Sequence, residues 1–367
     1  MKKVIMIVTN RYDPDIRVHK EAKYLVDRGF DVEVLCWDRE NDYINSPTDK
    51  IDGVKVRRFF PYAKCGTGIR QIRSYFKFIL EIKKYLSKIE FNYLHCHDLD
   101  GAIAGYSVKS KKSRLIFDMH EFYEMQKEKL KYKEIIRIIV NYLQNKSDAI
   151  IYVNEVQIRH LNDKLKSKSI YLPNYPNTTD YLGVKKSKNS TLNISYIGVV
   201  RQFDELKNLM EACNSLENVF ISIHGDGRAF NKLNSIKENY VNTKITGRYN
   251  PKESSRLYSD TDISYIVYSK DNPQHMIGYP VKFFEAIITK TPVIVTKGSV
   301  LEGFISEHDI GFAVDGESVE EIKDLVSYIN ANRQVLREKI KNIEKIQFSY
   351  SWEEVVKNLE NIYNDTL

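Results

Sequence analysis

Lys282 and Glu285 stand three residues apart in PVKFFEA, residues 280–286 of this 367-residue sequence. An alternating apolar run at 263–268 reads as a buried strand before them. A polar loop with Asn272, Pro273 and Gly278 follows it. Pro280 then opens a helix where its fixed φ costs nothing. Thr291-Pro292 stops that helix, and residues 292–296 form a second apolar strand. The order strand, loop, helix, strand is the βαβ unit of a parallel sheet. Its helix N-terminus offers unpaired N–H groups and a partial positive charge, which suit a phosphate. A cation for the phosphate and a carboxylate for sugar hydroxyls would complete a seat for a nucleoside diphosphate. The same spacing also fits a helix packed through Phe283, Phe284 and Ile287 with an incidental ion pair on its face.

Three further stretches hold reactive side chains at predicted strand ends. Gly198 closes the strand ISYIG and lets a ligand approach the backbone. Arg201 follows three residues on, and a guanidinium matches phosphate oxygens bidentately where a lysine cannot. His120, in FDMHEF, lies just past a strand, the usual place for ligand contacts in open α/β sheets. Glu121 beside it could orient the ring or meet an acceptor. His95, His97, Asp98 and Asp100 crowd a fourth strand end. Strand alternation puts the two histidines on one face, but no further ligand is specified, so no metal site is expected. The sequence has no G-x-S-x-G and no G-x-G-x-x-G, which argues against triad hydrolysis and against an NAD enzyme.

P-x-K-F-F-E-A followed by T-P-V-I-V-T resembles the nucleotide-sugar motif of retaining glycosyltransferases of family 4, which have the GT-B fold. The closer likeness is to capsule and exopolysaccharide sugar transferases. It extends to TNRYDPDIRVHKEAKYLVDRGFDVEVL near the start and to HCHDLDGAIAGY at 95–106. The resemblance implies two Rossmann-like domains facing a cleft, with the C-terminal helix crossing back to the first. Asp13, Arg17 and Lys20 would lie near the cleft, with His97 and Asp98 facing it and Glu121 on the acceptor side. His120 would reach the donor sugar's hydroxyls. Arg201 would bind the diphosphate, with Gly198, Pro280 and Lys282, while Glu285 would hold sugar hydroxyls. TGRY, 246–249, looks like the segment that holds the base, through Arg248 and Tyr249. HGDGR, 224–228, would line the cleft floor. Ile277 stands where the family usually has a second glutamate. The donor is then a sugar nucleotide, no separate cofactor or divalent ion is needed, and the acceptor is a glycan or a polyprenyl-linked glycan. Two alternatives share the scaffold: a sugar-nucleotide epimerase or phosphorylase, and a non-catalytic glycan- or partner-binding protein.

The rest of the chain must position these groups. Strands are expected at 3–9, 32–36, 93–96, 115–117, 149–153, 170–172, 192–197, 219–223, 243–246, 263–268 and 292–296. Helical spacing fills most of the gaps, with one helix over 16–28 capped by Gly29. The Pro-, Asn-, Lys- and Ser-rich stretch 172–190 reads as a linker. It divides an acceptor-side domain, 1–175, from a nucleotide-sugar domain, 176–348, with a helical tail at 349–367 joining the first.

Hydrophobic residues make up 42% of the chain and charged residues 29%, which describes a globular protein. Its four cysteines have no short paired spacing, so neither a disulfide framework nor a zinc knuckle is indicated, and a cytoplasmic setting is expected. No stretch reads as a membrane span or a signal peptide.

Residues 1–175 hold 33 Lys and Arg against 23 Asp and Glu, while the remainder holds 23 against 26. A basic first half suggests an anionic partner. Nothing points to nucleic acid. Ile69, Ile72, Phe76, Ile79, Leu80 and Leu86 form an apolar stripe among Arg70, Arg73, Lys77, Lys83, Lys84 and Lys88. A second basic stretch covers 127–137. Such a surface suits the inner face of a membrane, so peripheral binding there is expected.

Overall fold

The computed structural model describes residues 1–367 apart from 122, 124–131, 160, 182, 188, 189 and 365–367, and apart from the side chains of 69 and 159. The chain divides into two compact units, Met1–Asn174 with Val356–Leu367, and Tyr175–Val355. Each is a Rossmann-like α/β unit around its own parallel sheet.

Among its described residues, unit 1 holds eight strands: β1 Lys3–Val8, β2 Asp31–Trp37, β3 Thr48–Ile51, β4 Val54–Phe59, β5 Tyr93–His97, β6 Arg114–Met119, β7 Ala149–Tyr152 and β8 Ser169–Tyr171. Their spatial order is β3-β4-β2-β1-β5-β6-β7-β8. The central strands are covered on both faces, so they read as near-continuous apolar runs rather than alternating ones. β1 (KVIMIV) is buried along almost its whole length.

Among the described residues, four longer helices cover this sheet: α1 Ile16–Asp27, α2 Ile72–Leu86, α3 Asp98–Val108 and α4 Lys133–Lys146. Asp15 caps α1 by accepting from the N–H groups of Arg17 and Val18. Gly29 follows the helix end with φ +84°.

The β3–β4 hairpin was not anticipated, yet its turn carries a signal. Asp52 and Gly53 both have positive φ, 48° and 87°, the conformation that favours Asp-Gly in a two-residue hairpin. β3 is antiparallel to β4, while the other pairings of this sheet are parallel.

The apolar stripe expected at 69–86 turns inward differently from its spacing. Phe78, Ile79, Ile82 and Leu86 are buried, whereas Ile72, Phe76 and Leu80 face solvent. Of the second basic stretch, residues 127–131 lie outside the described residues.

Unit 2 holds β9 Leu192–Ile197, β10 Val219–His224, β11 Thr243–Gly247, β12 Ile263–Ile266, β13 Val293–Thr296 and β14 Gly311–Val314, ordered β11-β10-β9-β12-β13-β14. All five pairings are parallel. Numbered from β9, this is the doubly wound order 3-2-1-4-5-6, whose chain reverses direction between β9 and β12.

The stretch after Tyr175 belongs to unit 2 rather than standing free. Lys186 Nζ donates to the carbonyls of Tyr258 (2.8 Å) and Thr261 (2.9 Å). The loop expected around Pro273 contains a short helix, Pro273–Ile277, capped by the Asn272 side chain. Residues 349–355 pack with unit 2, and the chain returns to unit 1 at Val356. The described part of the tail is three short helical pieces rather than one helix, with Trp352, Val355, Val356, Leu359, Ile362 and Tyr363 all buried. Among the described residues no helix is long and apolar enough to cross a membrane.

Candidate functional site

In unit 2 the reactive side chains gather where ligands bind in such sheets, beyond the strand ends at the switch point between β9 and β12. Gly198 ends β9 with φ +133°, and a Cβ built there would lie 2.9 Å from Cε and Nζ of Lys282. Only glycine leaves the lysine its place. Gly225, at the end of β10, has φ +134°, and a Cβ there would meet the Gly198 carbonyl oxygen at 1.9 Å. Two loops therefore pack backbone against backbone, tied by Gly198 N–H to the His224 carbonyl (2.9 Å) and Val200 N–H to the Asp226 carbonyl (2.9 Å).

Pro280 is the N-cap of the helix Val281–Ile288 rather than its first helical residue, and no side chain caps that end. Phe283 N–H donates to the Pro280 carbonyl (2.9 Å), and the N–H groups ahead of it, without a side-chain cap, suit an anion. Lys282 Nζ lies 3.6 Å from the Tyr196 ring centroid. Burial pushes this lysine down to about 7, against the opposing pull of Glu285 and with help from the Arg201 charge. Glu285 accepts from the hydroxyls of Tyr181 (2.7 Å) and Tyr258 (3.1 Å), which fix its carboxylate. Arg201 and Arg248 are exposed, and Tyr249 is partly buried. Burial and the Glu285 charge push Tyr249 up to about 12.

In unit 1 the corresponding switch point lies between β1 and β5. His95 and His97 stack there with ring centroids 4.3 Å apart, on one face of β5. Asp118 of β6 is fully buried and organises the cluster. It accepts from Arg17 Nη2 (2.9 Å) and Nε (3.3 Å), and it bonds His97 Nδ1 (3.0 Å) and His120 Nε2 (2.7 Å). The other nitrogen of His120 lies 3.3 Å from Asp98. Asp98 opens α3 with φ +63°, a conformation that aspartate tolerates better than most residues. Its carboxylate accepts from the Tyr123 hydroxyl, 3.1 Å away.

Burial alone would raise the Asp118 pKa, but Arg17 and the histidines hold it well below the usual carboxylate range. Burial works against His120 as well, yet Asp118 and Asp98 raise it well above an ordinary histidine. Burial, then the Asp118 charge, pushes Glu21 up to about 8. Burial drives His95 well below its ordinary value and lowers His97. At neutral pH the centre therefore holds Arg17 and His120 as cations, Asp118 and Asp98 as anions, and Glu21, His95 and His97 uncharged.

Glu21, His95, His97 and Asp118 also offer ligand atoms within 4.8 Å of one another, a constellation the sequence did not specify. The Arg17 guanidinium already sits 3.1 Å from Glu21 and 2.9 Å from Asp118. A metal ion would have to compete with that fixed positive charge.

Two family models cover most of the chain: residues 16–175 match Glycosyltransferase Family 4, and residues 182–346 match Glycosyl transferases group 1. The chain belongs to glycosyltransferase family 4.

Solved structures show the GT-B fold. Sucrose-phosphate synthase from Thermosynechococcus elongatus is similar with a TM-score of 0.78 at 14% identity, covering 100% of this chain and 99% of that one. Anabaena HepE in complex with UDP-glucose gives 0.70 at 13% identity, covering 100% of each chain. The catalytic domain of starch synthase IV from Arabidopsis thaliana, bound to ADP and acarbose, gives 0.67 at 12%, covering 100% of this chain and 99% of that one. No curated protein matches the chain.

The structure of this glycosyltransferase brings Gly198, Lys282, Pro280 and Glu285 together and places His97, Asp98 and His120 in one cluster. Arg17 is neither a ligand-facing group nor a solvated one. It is 5% exposed and spans Asp118, Glu21 and the Leu172 carbonyl. Asp13 is exposed and accepts from the Tyr43 hydroxyl and from Arg11. Lys20 donates to Asn174 (3.1 Å), and Glu121 is exposed.

Sequence reasoning missed Asp118 and Glu21 in unit 1 and Tyr181, Tyr196 and Tyr258 in unit 2. An aspartate inside the apolar strand RLIFDM was a usable signal, because charges are seldom buried unless paired. Nothing in the spacing of the tyrosines pointed to Glu285.

Proposed function

We propose that the protein transfers a sugar, with retention, from a nucleoside-diphosphate sugar to a glycan or lipid-linked glycan acceptor in cell-surface polysaccharide synthesis, without a divalent ion. The observation that carries this reading is the seat at the β9/β12 switch point: an uncapped helix N-terminus, Lys282 held beside Gly198, and Glu285 fixed by Tyr181 and Tyr258. The HepE structure in complex with UDP-glucose supports the donor class.

In the transfer, the bond from the anomeric carbon to the diphosphate breaks and negative charge grows on the leaving oxygens. The helix N-terminus, Lys282 and Arg201 supply positive charge there, which favours the transition state over the ground state. Glu285 holds sugar hydroxyls, with Arg248 and Tyr249 beside the base. His120 reaches the donor sugar's hydroxyls as an imidazolium whose two N–H groups are held by Asp118 and Asp98, so it acts there through its positive charge. Asp13, His97, Asp98 and Glu121 belong to the acceptor side, and the leaving phosphate takes the acceptor's proton. The lipid-linked acceptor also brings the protein to the inner face of a membrane as a peripheral protein.

The test is a mass-spectrometric screen of sugar nucleotides with purified protein, with and without a pool of lipid-linked acceptors. Cleavage of one donor and appearance of an extended acceptor are expected. A protein that binds glycans but leaves every donor intact would overturn the reading.

A further inference from the structure

α2, α3 and α4 each connect a strand of unit 1 to a parallel strand in the same direction across the sheet, from β4 to β5, β5 to β6 and β6 to β7. Right-handed crossovers place all three on one face of the sheet. α3 packs against both α2 and α4 and forms the middle of the layer. The inner sides of the outer two helices are ordinary core: Phe78, Ile79, Ile82 and Leu86 on α2, and Val140 and Leu143 on α4.

Their outer sides are not ordinary surface. Ile72, Phe76 and Leu80 on α2 and Ile135, Ile138 and Tyr142 on α4 are exposed, Leu80 by 65% and Ile138 by 66%. Tyr142 meets Tyr106 of α3 hydroxyl to hydroxyl at 2.7 Å, which carries the apolar surface across the middle helix. Exposed apolar side chains concentrated on one layer mark an interaction surface.

The charge on the two outer helices is predominantly positive. Within the two helices, Arg73, Lys77, Lys83, Lys84, Lys133, Arg137 and Lys146 face only Glu81 and Glu134. Glu134 is taken by Arg137. Arg73, Lys77, Lys83 and Lys84 make no ion pair among the described residues.

We propose that the outer face of the α2–α3–α4 layer docks on an anionic lipid bilayer, with its apolar side chains at headgroup depth and its cations on the lipid phosphates. A second copy of the chain fits the apolar residues but not the charges. A two-fold interface would set this basic face against itself. A bilayer is flat, as a layer of three adjacent helices is, and it supplies the missing anions. The proposal rests on the lipid-linked acceptor reading but is tested without it.

The experiment is co-sedimentation of the full chain with vesicles of phosphatidylcholine alone or with about one-quarter phosphatidylglycerol. Two variants are compared with wild type: Arg73→Gln/Lys77→Gln/Lys84→Gln, and Phe76→Ser/Leu80→Ser/Ile138→Ser. All six side chains are exposed, so both variants should fold, and circular dichroism checks this. Wild type should bind only the anionic vesicles and be released by high salt. The charge variant should lose partition on the order of 100-fold, and the serine variant should also bind more weakly. Donor binding, measured separately, should be unchanged in both variants, so failure of the donor reading shows independently. The proposal is overturned if wild type ignores anionic vesicles at low salt, or if both variants bind as well as wild type. It is equally overturned by a concentration-dependent dimer that the serine variant dissolves.

Discussion

The hydroxyl of Tyr363 lies 2.9 Å from Nδ1 of His95, joining the returning tail to the buried cluster on β5. The same tyrosine's carbonyl accepts from the Tyr93 hydroxyl at 2.8 Å, so side chain and backbone both anchor the tail. Tyr363→Phe should leave a buried ring nitrogen without its partner, at about 1–3 kcal/mol. Chemical denaturation measures this, and an unchanged midpoint and slope would show that the bond contributes nothing.

Glu21 gives a signed pH dependence. Burial and the Asp118 charge push its folded pKa up to about 8, from an ordinary carboxyl value of 4.5. The unfolded chain therefore releases this proton near pH 4.5 while the folded chain keeps it, and stability falls as pH rises from about 5 to 8. Glu21→Gln replaces the protonated carboxyl beside His95 by a neutral group of the same size and removes the titration. The variant should match wild type near pH 4.5 and exceed it above pH 8, by on the order of a few kcal/mol. Parallel stability curves for the two proteins across that range would contradict this.

Lys282 gives a pH dependence of binding. Its pKa is about 7 when the seat holds no donor. Two phosphate charges placed against it raise it again, so donor binding takes up a proton above pH 7. Affinity should be flat below about pH 6, fall as pH rises through 7, and lose that slope in Lys282→Met. A Kd that is independent of pH from 6 to 9 would remove Lys282 from the donor seat.

Arg201→Ala and Glu285→Gln test the two ends of the same seat. Arg201→Ala should weaken donor binding by about 2 kcal/mol, through loss of a phosphate partner. Glu285→Gln keeps an acceptor for only one of Tyr181 and Tyr258, which donate to different carboxylate oxygens, and loses the charge that strengthens its bonds to sugar hydroxyls, at about 1.5–3 kcal/mol. Calorimetric titration with the nucleotide measures both, and normal affinity in either places the site elsewhere.

Removal of metal ions should leave turnover intact, because Arg17 already neutralises Asp118 and the diphosphate has its own cations. Activity measured in EDTA checks this. Loss of turnover, restored by Mg²⁺ or Mn²⁺, would return attention to Asp98 and Asp100, or to the Glu21, His95, His97 and Asp118 set.

Local elements, and the groups that act through them, are legible from neighbouring residues. Apolar runs at strand length, the Pro280 helix start and Gly198 at a strand end are readable because each depends on neighbours within a few positions. The spacing of His95 and His97 likewise put both on one face of β5, as the structure shows. Asp52-Gly53 was equally local and marks a hairpin that its flanking strands confirm.

Tertiary structure alone decided which distant groups meet. Arg17 reaches Asp118 across 101 positions, and Tyr181 reaches Glu285 across 104. Those partners keep Asp118 ionised and set the orientation of Glu285, and no periodicity encodes them. The outward turn of Ile72, Phe76 and Leu80 is of the same kind. Helical spacing fixes which residues share a face, but only the packing of α2 beside α3 on the sheet decides which face is left to solvent.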